Sequence, residues 1–223
     1  MSAVACVIPA YEAAATLGFV VRGLRASLPD ALLIAVDDGS RDGTHDVAAA
    51  CCDRVVHFQR NRGKGAALRA GFDVARAECA PLVITIDADG QHDPALAPSL
   101  LAALASADLV IGARPRARGT MPLGRRITNA LASAAVGAIV GVSVPDAQSG
   151  YRAIRREVLA AVAPPGDRYE YETEFLIAAG RAGFRITSVT VPTTYGPQSH
   201  FRSWGDSLRV VRTIWRERSR GVS

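Results

Sequence analysis

Residues 82–94 read LVITIDADGQHDP and hold the densest chemistry in the chain. Asp87, Asp89 and Asp93, the Gln91 amide and the His92 imidazole fall within seven positions, directly behind the apolar run 82–86. That run is rich in β-branched residues and is bounded by Pro81 and Gly90, as in a strand covered on both faces of a parallel sheet. The carboxyl end of such a strand is where open α/β sheets bind ligands. Carboxylates this close repel one another unless a cation stands between them. Hard oxygen donors on a tight turn suit Mg²⁺ or Mn²⁺, and such an ion brings a phosphorylated ligand with it. A helix cap is the competing use: Asp93 precedes Pro94 as an N-cap precedes a first helical residue. This accounts for Asp93 and leaves Asp87 and Asp89 to the metal.

The elements that must position this turn alternate from the start of the chain. Residues 3–9 form a short apolar strand, followed by a helix whose Leu17, Val20, Val21, Leu24 and Leu28 keep helical spacing. A second buried strand, 32–36, ends in Asp37-Asp38-Gly39-Ser40. A helix over 44–52 follows with Thr44 as its N-cap, then a strand at 54–58 and a helix opened by Gly63-Lys64-Gly65. After the acidic turn come a helix at 94–105 and a strand at 108–112. The alternation predicts a parallel, right-handed βαβ sheet. It also brings two acidic turns, at Asp37-Asp38 and at Asp87-x-Asp89, to one sheet edge.

Beyond Gly112 the pattern changes. Residues 114–126 place Arg114, Arg116, Arg118, Arg125 and Arg126 among glycines and prolines, as an anion-binding loop would. Residues 127–144 read as a helix of small apolar residues, 144–156 as a turn and short strand, 170–182 as a helix and 185–191 as a strand. Glu170, Glu172 and Glu174 open the penultimate helix, where its dipole favours acids. The last helix, 206–218, has Leu208, Val210, Val211, Ile214 and Trp215 on one side and Arg209, Arg212 and Arg216 on the other. That amphipathic pattern suits either a membrane interface or docking on the domain itself.

With 223 residues, 49% apolar and 21% charged, the chain has the make-up of one folded α/β domain. The net charge of +5 favours anionic partners. Cys6, Cys51, Cys52 and Cys79 have no metal-ligand spacing and read as small buried hydrophobes in a reducing compartment. No leader or spanning segment is apparent, so a cytoplasmic protein working at the membrane face is expected. Nothing in the sequence interleaves aromatic and basic residues as a nucleic-acid surface does.

Six segments together resemble the family 2 glycosyltransferases, in particular the dolichol-phosphate mannosyltransferase-like branch. They are Val7-Ile8-Pro9-Ala10-Tyr11, Val36-Asp37-Asp38-Gly39-Ser40 with Asp42-Gly43-Thr44, and Asn61-Arg62-Gly63-Lys64-Gly65. The others are the acidic turn through Pro94, Gly112-Ala113-Arg114, and Asp146-Ala147-Gln148-Ser149-Gly150-Tyr151-Arg152. The resemblance implies a GT-A fold over one domain, 1–223, and a metal-dependent hexosyltransferase. It further implies that Pro9, Tyr11, Val36 and Asp38 line the nucleotide base and ribose. Asp87, Ala88 and Asp89 would meet the donor, with Asp89 and Gln91 holding the cation and Arg114 near the phosphates. His200 and Arg202 stand for the family's late basic pair. Where family members carry Asn and Glu after the tyrosine, this chain has Glu12 and Ala13.

The reaction implied is inverting transfer of a hexose from a GDP- or UDP-sugar to a polyprenyl phosphate, with a separate membrane anchor protein as one way of holding the enzyme there. A phosphate monoester has a second pKa near ~6 and is already an anionic nucleophile at neutral pH. It needs arginines to seat it, and Arg114, Arg125 and Arg126 are the candidates. A hydroxyl acceptor, on a glycolipid or soluble sugar, would instead need a carboxylate base, for which Glu174 and Glu172 are the candidates. A sugar nucleotidyltransferase is the remaining enzymatic alternative. It requires a Gly-rich loop after the first strand, where this chain has Pro9-Ala10-Tyr11.

Overall fold

The computed structural model describes residues 2–114 and 123–192. The first half follows the expected alternation: β1 (Val4–Ala10), α1 (Ala14–Ser27), β2 (Leu32–Asp37), α2 (Thr44–Cys51), β3 (Arg54–His57), α3 (Lys64–Ala77) and β4 (Leu82–Thr85). A 3₁₀ turn, Pro94–Leu96, leads into α4 (Ala97–Ala103) and β5 (Leu109–Ala113). Then come α5 (Leu123–Val140), β6 (Arg152–Arg155), α6 (Arg156–Ala161), α7 (Glu170–Arg181) and β7 (Ile186–Thr190).

The strands form one sheet in the order β3-β2-β1-β4-β6-β5-β7, with β4 at its middle. All neighbours are parallel except β6, which runs antiparallel to both β4 and β5. The sheet is therefore mixed. Residues 145–151 bring β6 back between two strands whose own connection is a helix, and this reversal matters for the site.

Side chains alternate across each strand and feed two apolar layers. On one face Val7, Val36 and Ile111 pack with Phe72 of α3 and Phe175 of α7. On the other, Cys6, Ile8 and Leu33 pack with Leu17, Val20 and Leu24 of α1 and Leu100 of α4. The approach of α3 to β1 is close because Gly71 has no side chain. A Cβ there would lie 2.3 Å from Val7 Cγ1.

Three local expectations change. Thr44 is the first helical residue of α2 and not its cap; the N-cap is Gly43, at φ +85°. Asp42 supplies the capping carboxylate, accepting from Thr44 N–H at 3.0 Å while its other oxygen accepts from Ala14 N–H at 3.0 Å. The small-residue helix begins at Leu123, not 127, so Arg125 and Arg126 belong to its first turn. Leucine and arginine are good helix formers, and an apolar pattern starting at Ile127 does not reveal them. Only Cys6 of the four cysteines is buried; Cys79 is exposed, at φ +58° just past α3, where a left-handed turn faces it to water. The expected amphipathic helix at 206–218 lies outside the described residues, as do Arg116, Arg118, His200 and Arg202.

Candidate active site at the carboxyl edge of the sheet

Strands β1, β2 and β4 end at the same edge, so the loops after them meet. The first two are stitched together by side chains. Ser40 Oγ accepts Glu12 N–H at 2.9 Å, Thr44 Oγ1 accepts Ala13 N–H at 2.8 Å, and Glu12 Oε1 accepts Arg41 N–H at 2.9 Å. These bonds hold Glu12 at φ +51°, a conformation non-glycine residues seldom adopt. Tyr11 stands on this base with 42% of its surface exposed. Pro9 and Val36 are register partners in the sheet; both are buried, and Val36 packs in the core beneath α3.

Asp38 is committed to the backbone. Its carboxylate oxygens accept Arg62 N–H at 2.6 Å and Gly63 N–H at 2.8 Å, fixing the loop that delivers Lys64. Burial nevertheless raises the Asp38 pKa above the ordinary carboxylate value, the two N–H donors working against it.

Asp87 and Asp89 follow β4, with buried Ala88 between them. They have different surroundings. Lys64 Nζ lies 2.7 Å from Asp87 Oδ1 and 3.0 Å from Glu172 Oε1. Burial opposes the charge on both Asp87 and Lys64, but their mutual attraction, with Glu172 on the lysine, outweighs it. The Asp87 pKa is held down and that of Lys64 up. Asp89 accepts Gln91 N–H at 3.0 Å and has no salt bridge among the described residues. Burial, and next the charge on Asp87, push its pKa above the usual range. A half-buried carboxylate with a like charge beside it, and an amide side chain two residues on, make an oxygen donor set. That set fits Mg²⁺ or Mn²⁺, which take one or two carboxylates and leave further positions for water and phosphate oxygens.

The antiparallel β6 brings a second group of residues to this turn. Thr85 Oγ1 donates to the Gly150 carbonyl at 2.8 Å. Gly150 itself leaves room for the ion pair: a Cβ there would lie 2.5 Å from Asp87 Oδ2 and 2.7 Å from Lys64 Nζ. Asp146 grips Arg114 at the end of β5, accepting from Nε at 2.6 Å and from Nη2 at 2.9 Å. Arg152 is buried, and its guanidinium donates to the carbonyls of Ser149, Glu172 and Ala147 at 2.9, 2.9 and 3.0 Å. It ties the 147–149 turn to α7. His92 packs behind the acidic turn, 5.4 Å from the Tyr151 ring. Burial pushes its pKa down to about 4, so the imidazole is neutral at pH 7.

The structure thus joins Asp87, Asp89, Gln91 and Arg114 in one region. It adds Lys64, Glu172, Asp146 and Arg152, none of which stood out as a partner of the acidic turn. The Asn61–Gly65 and Asp146–Arg152 segments had stood out through the family resemblance, and Glu172 as a candidate base at the start of its helix. Glu174 Oε2 accepts Gly166 N–H at 2.9 Å, closing the loop before α7. Arg125 and Arg126 are carried by the start of α5.

The model of the family described as Glycosyl transferase family 2 matches residues 5–162. Undecaprenyl-phosphate mannosyltransferase of Micrococcus luteus is 34% identical over 200 residues, spanning 85% of this chain and 82% of its own. Polyprenol monophosphomannose synthase of Mycolicibacterium smegmatis is 35% identical over 216 residues, 91% of this chain and 82% of its own. Among solved structures, glucosyl-3-phosphoglycerate synthase of Mycobacterium tuberculosis, crystallised with Mn²⁺, UDP and glucosyl-3-phosphoglycerate, superposes with a TM-score of 0.75 at 25% identity. That match covers 97% of this chain and 80% of the other. Mannosyl-3-phosphoglycerate synthase of Rubrobacter xylanophilus shares the fold with a TM-score of 0.80 at 23% identity, covering 99% and 75%.

Proposed function

The chain belongs to glycosyl transferase family 2, and from that premise we propose that it transfers a hexose, from a GDP- or UDP-sugar, to a polyprenyl phosphate. The observation that supports this most is the pairing of an acidic turn suited to a divalent cation with an arginine end of β5, at the ligand-binding edge of one sheet. The relatives named for undecaprenyl-phosphate and polyprenol substrates match most of the chain.

In this reading Asp89 and Gln91 hold Mg²⁺ or Mn²⁺, which when bound neutralises charge growing on the departing nucleoside diphosphate. Asp87 does not share that load. Its charge is already balanced by Lys64, so it orients the turn and faces the donor sugar. Tyr11, Pro9, Val36 and Asp38 form the nucleotide end, with Tyr11 supplying exposed aromatic surface and the others a rigid backbone. Arg114 is aimed by Asp146, through Nε and Nη2, as the guanidinium at this edge that would meet phosphate oxygens. Arg125, Arg126, His200 and Arg202 complete the anion-binding set. The acceptor phosphate attacks the anomeric carbon in line, inverting it, and its anionic oxygen needs no base. Glu174, with one oxygen already accepting from Gly166, serves the loop and not the chemistry.

Among the described residues no helix is long and apolar enough to cross a membrane. The lipid tail would stay in the bilayer while the phosphate enters the cleft, with the enzyme at the cytoplasmic face, held by its own 206–218 segment or by an anchor protein. The structural relative crystallised with phosphoglyceric acid keeps a second reading in play, a water-soluble acceptor.

A transfer assay separates the two. Purified protein with Mn²⁺ and labelled UDP- and GDP-sugars is expected to move label into the organic phase only when polyprenyl phosphate is present. Label found only in water-soluble products would overturn the lipid reading.

A further inference from the structure

Asp37, the last residue of β2, is the register partner of His57, the last residue of β3. His57 Nδ1 lies 2.9 Å from Asp37 Oδ2. The second residue of α2, His45, brings its ring centroid to 4.8 Å from that of His57. One donor atom from each of the three residues lies within 4.8 Å of the other two, a grouping of His, Cys, Asp or Glu that recurs nowhere else among the described residues.

The trio is placed from three directions. Asp37 is fully buried, and its Oδ1 accepts Ser40 N–H at 3.0 Å, which turns Oδ2 toward the imidazoles. Both imidazoles are exposed, so an ion can reach them from solvent. Ligand atoms around a tetrahedral Zn²⁺, at about 2.0–2.1 Å from the metal, stand about 3.3 Å from one another. The His57–Asp37 pair, at 2.9 Å, would open slightly to reach that value, and no pair of donor atoms, all within 4.8 Å of one another, would have to close by more than about 1.5 Å. The donor set differs in kind from the acidic turn. Two imidazole nitrogens and one carboxylate favour zinc-like ions, whereas an all-oxygen set favours Mg²⁺ and Mn²⁺. The two places are also separate, because β1 lies between β2 and β4, putting roughly 10 Å between those strands.

We propose that Asp37, His45 and His57 form a second metal site, for a divalent transition ion of the Zn²⁺ class, with a fourth position left to water. An ion there pins the start of α2 to the ends of β2 and β3. The same β2 turn continues into Asp38 and Ser40, which position the Lys64 loop and the backbone beside Tyr11. Occupancy would therefore stiffen the nucleotide end of the cleft from outside it.

Titration of the untagged 223-residue chain with Co²⁺ tests this, because cobalt at such a site gives visible d–d absorption that magnesium and manganese do not. One equivalent is expected to bind with visible bands, and Zn²⁺ should displace it. His45→Ala, at an exposed position, and His57→Gln should each weaken binding at least tenfold, while Asp89→Asn leaves it unchanged. Melting curves with Zn²⁺ should rise for the wild type and not for the histidine variants. Absence of saturable binding, binding indifferent to both histidine substitutions, or binding abolished by Asp89→Asn would each overturn the proposal.

Discussion

Asp87 and Asp89 carry the same side chain two positions apart and meet opposite electrostatic conditions. Lys64 neutralises the first; nothing cationic is salt-bridged to the second among the described residues. Asp89→Asn is therefore expected to leave the melting temperature of metal-free protein unchanged or raised, since it removes a half-buried charge that the Asp87 carboxylate repels. It should lower kcat/KM about a hundredfold or more, as loss of a group that grips the leaving diphosphate does. Melting scans and initial rates on one preparation check both halves. Lys64→Met should behave the other way, lowering stability by about 2–3 kcal/mol in urea unfolding because buried Glu172 and half-buried Asp87 lose their counter-charge. Adding Glu172→Gln should recover part of that loss. The thiols make a further contrast. Burial raises the Cys6 pKa to about 12, so its reactive thiolate is scarce below that pH, whereas Cys79 is exposed. Iodoacetamide at pH 8 should label Cys79 in the native state and Cys6 only after unfolding, read by peptide mass spectrometry. At this scale the acidic turn was legible, since carboxylates after an apolar strand have few other uses. Lys64 and Arg152 were not, because a basic residue in a sequence does not disclose which buried acid or carbonyl it will meet.

Elements explain much of that difference. Strands β1 to β5 and the helices between them were readable because strand and helix alternate with distinct periods. The antiparallel return of β6 was not, and Asp146, Gly150 and Arg152 reach the site only through it. A four-residue strand has no periodicity long enough to declare its direction. Helix starts were displaced for related reasons: Asp42 caps α2 from outside, and α5 begins in a basic stretch without apolar spacing. The contact of α3 with β1 yields a prediction at this scale. Gly71→Ala places a methyl group against Val7 and should cost about 1–3 kcal/mol, through overpacking, in chemical denaturation. A neutral result would mean that α3 can shift away from the sheet without loss.

Across the whole molecule, one sheet edge gathers the described groups proposed for the donor: the braced Tyr11 loop after β1, the Asp38 turn after β2, the acidic turn after β4 and Arg114 after β5. The net charge of +5 fits an anionic ligand but says nothing of where it binds. Fold and edge could be anticipated because parallel strands present their carboxyl ends together. The acceptor-side residues follow no such rule, and the likeness to relatives named for polyprenyl substrates guides that part. The central claim is that a cation at Asp89 and Gln91 joins a nucleoside diphosphate to this edge. It is tested most directly by calorimetric binding of UDP and GDP with Mn²⁺ and after chelation, for the wild type and Asp89→Asn. The account predicts that one nucleotide binds in Mn²⁺ and loses at least tenfold in affinity on chelation or in the variant. Equal affinity under all three conditions would contradict it.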